Sequence, residues 1–114
     1  MDKDFLLPIR TRLIRNGDLI AQELQSTINT HRRWIAISKR SENSKHMPFE
    51  WLYKMYDFEF DKIVIETRDE YTDKNIINER IYYFKDEEEL RNALSERGMD
   101  LSKFTYPWKC DYPL

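Results

Sequence analysis

Residues 46–61 read HMPFEWLYKMYDFEFD, with six aromatic rings (Phe49, Trp51, Tyr53, Tyr56, Phe58 and Phe60) and carboxylates threaded between them. Few environments accept rings at that density. They must enter a packed core, or they must grip something outside the chain. Phe49, Leu52, Tyr53 and Tyr56 fall at i, i+3, i+4 and i+7, which predicts a helix with an inward stripe beginning near Pro48. Trp51 and Met55 lie off that stripe, so such a helix is apolar on a second side.

Other segments carry their own local signals. Pro8 suits the first turn of a short helix that Asn16-Gly17 would end. Asp18 is placed to cap a second helix carrying Ile20, Leu24 and Ile28 at four-residue spacing. Trp34, Ile35 and Ile37 in RRWIAISKR favour a strand. KIVIETRDEY and NIINERIYYF read as two strands joined by TDKN, an antiparallel hairpin near 62–84. Asp86 followed by Glu89 forms a capping box for a helix with Leu90, Ala93 and Leu94 inward and Gly98 as its left-handed stop. The tail FTYPWKCDYPL is expected to be extended and packed over a sheet edge or a helix. The order of elements indicates an α+β fold in one domain, 1–114: an antiparallel sheet of at least three strands packed with three or four helices.

Composition limits what the chain does. Aromatic residues make up 14% and the chain holds two glycines and four prolines. That is a composition for order from end to end, since disordered chains are poor in rings. The N-terminus lacks the basic start and long apolar run of a secretory signal, and no segment approaches the ~18 apolar residues of a membrane span. Cys110 is the only cysteine, which excludes an internal disulfide. These features fit a cytoplasmic protein.

Nothing in the pattern supplies an active site. His31 and His46 lie outside any metal-ligand spacing. DEYTDKNIINER lacks the central glycine of a calcium loop and ends in Arg80 where a glutamate belongs. Cys110 with either histidine, or Glu59 with Asp61, could form a reactive pair in space, but so many acids produce pairs by composition alone. No catalytic residue, metal site or cofactor is expected.

Charge is unevenly spread around a net value of −2. Residues 1–47 carry nine basic and five acidic side chains; residues 48–114 carry ten and sixteen. The two halves either steer different partners or neutralise each other in the fold. Arg32, Arg33, Trp34 and Arg40, with Arg10, Arg12, Arg15 and Lys39 elsewhere in the basic half, contain the ingredients of a nucleic-acid surface. A sequence pI near 5.7 disfavours it. Around Trp51 and Tyr56, by contrast, lie Glu59 and Asp61, then Asp69, Glu70, Tyr71 and Asp73. Aromatic anchors with a carboxylate rim suit capture of a basic protein. Burial of Trp51 by the tail, with solvated acids, explains the same residues equally well.

With its acidic clusters YDFEFD and DEYTD, its many rings and the lack of a catalytic set, the chain resembles the small bacterial immunity proteins that neutralise cognate toxins, including those of contact-dependent growth inhibition systems. The resemblance implies a non-catalytic, stoichiometric inhibitor of a basic toxin nuclease domain. The binding residues expected from the sequence are Trp51, Tyr56, Glu59, Asp61, Asp69, Glu70, Tyr71 and Asp73. A small nucleic-acid-binding module built on the basic half is the alternative.

Overall fold

A computed structural model describes residues 4–40, 50–67 and 72–114. The chain opens with α1 (Leu7–Arg10), Pro8 in its first turn, which loosens into a π-helical turn over Thr11–Arg15. Gly17, at φ +73°, ends it as its left-handed freedom allows. Four strands follow: β1 (Ile20–Leu24), β2 (His31–Lys39), β3 (Tyr53–Asp61) and β4 (Ile76–Phe84). Short helix α2 (Lys62–Thr67) and a 3-10 turn at Asp73–Asn75 separate β3 from β4, and α3 (Glu87–Glu96) comes after the sheet.

The strands pair in chain order, β1-β2-β3-β4, each antiparallel to the next. The fold is thus α+β, a four-stranded antiparallel meander with helices against it. Ile20, Ile35, Ile37, Tyr53, Met55 and Phe84 share one face. Phe5 and, from the N-terminal helix, Ile9 and Leu13, with Leu90 and Leu94 from α3, and Leu101 and Phe104, cover them. On the second face Trp34, Phe58 and Phe60 form a separate aromatic cluster, closed by Val64 and Ile65 of α2 and by Cys110 and Tyr112 of the tail. The tail packs over a sheet edge as expected, though Pro107–Lys109 is a 3-10 turn and not extended. Ala21 and Thr105 exchange backbone hydrogen bonds of 3.0 and 2.8 Å, closing the outer edge of β1, and the Trp34 indole donates to the Cys110 carbonyl at 2.7 Å. Closing an edge removes a template for unwanted strand pairing.

Three elements differ from expectation. The segment after Asp18 is β1, not a helix. Residues four apart share a face in a period of two as well as in one of 3.6, and Ile20 and Leu24 satisfy both. Ile28 lies beyond the strand, in the turn to β2. The expected helix from Pro48 through Tyr56 is instead the start of β3 from Tyr53 onward; Pro48 and Phe49 lie outside the described residues. A strand buried on both faces shows no polar alternation, so its rings mimic a helical stripe. The hairpin near 62–84 forms, but its first strand is β3, and 62–67 is helical. Tertiary packing of Val64 and Ile65 on the aromatic cluster overrides the strand preference of Ile63-Val64-Ile65.

Candidate partner-binding site

The register of β3 decides where the expected site residues go. Nine residues of strand span about 30 Å. Trp51 precedes β3 and Asp61 ends it, so the two sit at opposite ends of the sheet. Trp51 is half-buried against Tyr83, with ring centroids 5.1 Å apart, and beneath the Arg40 guanidinium. Tyr56 stands mid-strand on the second face, stacked on Phe58 at 4.7 Å, its hydroxyl donating to Glu79 at 2.8 Å. Asp61 accepts the Ile63 N–H at 2.9 Å and so helps open α2. Asp69, Glu70, Tyr71 and the side chain of Asp73 lie outside the described residues.

Glu59 is an inward residue, 1% exposed. Its carboxylate accepts from the Ser26 hydroxyl, from the Thr27 N–H at 2.6 Å and hydroxyl at 2.8 Å, and from the Asn78 amide. Asn78 adopts φ +53°, a conformation asparagine tolerates, at the register shift where β4 bulges away from β3. Burial alone would raise the Glu59 pKa, but the hydrogen bonds from Asn78, Ser26 and Thr27 outweigh it and hold the carboxyl down to about 2. Such a group stays ionised at neutral pH and is poorly suited to exchange protons there. Its effect is positional: one side chain of β3 fastens the β1–β2 turn and the β4 bulge together. Asp57, two residues earlier on the same face, takes a bidentate pair from Arg33 at 3.0 and 2.8 Å. With Arg80 these residues line a polar cavity of about 380 Å³.

The same pairing bears on the charge asymmetry. Arg33 pairs with Asp57, Arg32 with Glu23 and Asp111, and Arg10 with Glu87, so much of the N-terminal positive charge is met within the fold. Trp34 is fully enclosed and cannot stack on a base. The basic set Arg32, Arg33, Trp34 and Arg40 therefore does not assemble an open stacking surface. His31 hydrogen bonds through Nδ1 to the Thr30 hydroxyl at 2.8 Å, and burial pushes the Cys110 thiol up, away from the thiolate a nucleophile requires. His46 is outside the described residues. No cluster of three metal-ligating side chains occurs among the described residues, and none of their helices is long and apolar enough to cross a membrane.

What the sequence did not reveal is the loop end of the sheet. The Lys62 N–H donates to the Thr30 carbonyl at 3.0 Å, seating the β1–β2 turn beside the start of α2. Ile28 on that turn is 43% exposed and Ile63 on α2 is 67% exposed. A shallow cavity of about 590 Å³ opens there, lined by Leu24, Ile28, His31, Arg32 and Lys62 among others. Ile63 fell within an expected strand, and only the helical turn separates it from its inward neighbours. The chain matches no family model, no curated protein and no solved structure.

Proposed function

We propose that this protein is a non-catalytic binding inhibitor that captures a basic toxin domain in the cytoplasm, one to one, as small bacterial immunity proteins do, and that the loop end of its sheet makes the contact. The observation that carries this reading is two exposed isoleucines, Ile28, which lines a shallow concavity, and Ile63, whose chain neighbour Lys62 lines it too. Chain neighbours Glu66, Asp69, Glu70 and Asp73 supply carboxylates in the sequence that leads from α2 to β4. Desolvated apolar anchors ringed by charge give affinity at the centre and steering at the rim. The ionised, internally satisfied Glu59 and the protonated Cys110 support a binding role over a chemical one.

The test is protection in the native host. A toxin domain encoded beside this gene is expressed with the unaltered protein or with the double substitution Ile28→Lys and Ile63→Lys. Both positions are exposed, so the double variant should keep its fold by circular dichroism while losing about a hundredfold in affinity, as two hot-spot truncations commonly do. Trp51→Ala, at the far end of the sheet, should leave capture unchanged. Full protection by the double variant, or binding that depends on Trp51 alone, overturns the assignment.

A further inference from the structure

The most exposed large aromatic side chain of the described residues lies away from the loop end. Trp108 is 65% exposed, in the 3-10 turn Pro107–Lys109 beside the edge of β1. Its indole stacks on Tyr106, the centroids 4.9 Å apart and the planes 15° from parallel. The Arg12 guanidinium lies 5.6 Å from the Tyr106 centroid and 5.1 Å from that of Trp108. A cation above the outer face of either ring would be much nearer one centroid than the other. The near-equal distances put Arg12 against the flank of the stack, and the outer face of the indole stays open. Arg12 is fixed there by its Nε–H donating to the Leu19 carbonyl at 2.8 Å. It belongs to the π-helical turn, a local conformation that costs stability and recurs at functional sites. Lys109 places its ammonium 5.5 Å from the Tyr106 ring. Asp18 stands 3.9 Å from the Arg12 guanidinium and is an opposing charge there.

We propose that Trp108 and Tyr106, with Arg12 and Lys109, form a stacking site for single-stranded nucleic acid. A base lies on the open indole face, and Arg12 at the flank and Lys109 over the Tyr106 ring take the adjoining phosphates. An open aromatic plane with lateral cations matches that chemistry, because every base offers a π-face and every linkage an anion. An acidic peptide would use the cations but leave the plane without a partner. Of the basic residues the sequence offers for nucleic acid, this surface uses Arg12 alone and none of Arg32, Arg33, Trp34 and Arg40, and it is independent of toxin capture.

The experiment is anisotropy of a labelled oligothymidylate of about 12 nucleotides, near the site size of small single-strand binders, in about 50 mM salt. The unaltered protein should bind, and Trp108→Ala should weaken binding about tenfold. Arg12→Gln and Lys109→Gln should each weaken it severalfold and flatten its salt dependence by about one phosphate. Asp18→Asn should tighten it. Trp108 is exposed, so its removal leaves the core intact, and Trp108→Phe should restore part of the affinity as a plane without the indole. The proposal is overturned if the oligonucleotide fails to bind, if Trp108→Ala binds as well as the unaltered protein, or if polyglutamate competes equally per charge, which would make the site one for acidic protein.

Discussion

The helix-covered face of the sheet is two regions with opposite chemistry. At one end Ile37, Tyr53 and Met55 meet Leu13, Leu90 and Leu94 in hydrocarbon. At the other, on the same strands, Arg33, Asp57 and Glu59 project from the same face into a polar cavity. The apolar end stabilises the fold by removing surface from water, a force without direction. The polar end gains little net stability, because desolvating a carboxylate offsets much of what its hydrogen bonds return. What it gains is direction. Glu59 has four donors at fixed positions, three from the β1–β2 turn and one from a bulged strand, and its demands specify where the turn carrying Ile28 must sit.

Substitutions can break that contrast. Leu94→Ala, at a fully buried position, should cost about 3 kcal/mol in urea unfolding and weaken protection of amides throughout the sheet, as a cavity in a shared core does. Glu59→Ala should cost about 2 kcal/mol, the penalty for stranding its donors. The pattern of the loss should also differ. Hydrogen exchange should quicken at Thr27 and around Asn78 while amides under α3 keep their protection. Uniform loosening in both variants would mean the two ends are one cooperative core, and the positional role of Glu59 would fall.

Acid titration sharpens the same distinction. The Glu59 carboxyl sits at about 2 in the fold against an ordinary 4.5. The folded state therefore binds its proton less readily than the unfolded chain does. The contribution is complete above about pH 5 and is lost as pH falls from there toward 2. A shift of that size corresponds to about 3 kcal/mol at most. Glu59→Gln should flatten this part of the stability profile, whereas Leu94→Ala should lower the whole curve and leave its slope unchanged.

The same division governs how much could be read from the sequence. Features written in neighbouring residues were legible. Asp86 caps α3 by accepting the Glu89 N–H at 2.9 Å, and Gly17 and Gly98 both take positive φ after helices. The β2 strand and the packed tail were legible too. Elements defined by which faces are covered were not. Ile20 and Leu24 satisfy two periodicities, and β3 is buried on both faces, so neither announces itself as strand. Glu59 reads in the sequence as part of an outward rim because its partners lie far off along the chain, at Ser26, Thr27 and Asn78. Trp108 gave no signal of exposure, since a ring in a proline-bounded tail reads the same whether it packs or projects. Of the expected site, Asp61 belongs to the loop end and Trp51 to the other.

The smallest expected effect lies on the outer surface, where an ion pair has neither hydrocarbon nor a network behind it. Arg32 makes a bidentate pair with Glu23, both bonds 2.7 Å, reaches Asp111 at 3.2 Å and covers the Trp34 ring at 4.9 Å. The hydrogen bond to Glu23 raises its pKa above the already high value of arginine, so it carries its charge at any working pH. Water competes for these groups, and ordering two long side chains has an entropic cost. Arg32→Gln should therefore lose about 0.5 kcal/mol, and added salt should shrink even that difference. Glu59, out of reach of mobile ions, should show almost no salt dependence. If Arg32→Gln instead cost as much as Glu59→Ala, the guanidinium would be acting as a lid over Trp34, and the second face would owe its closure to charge as well as to rings.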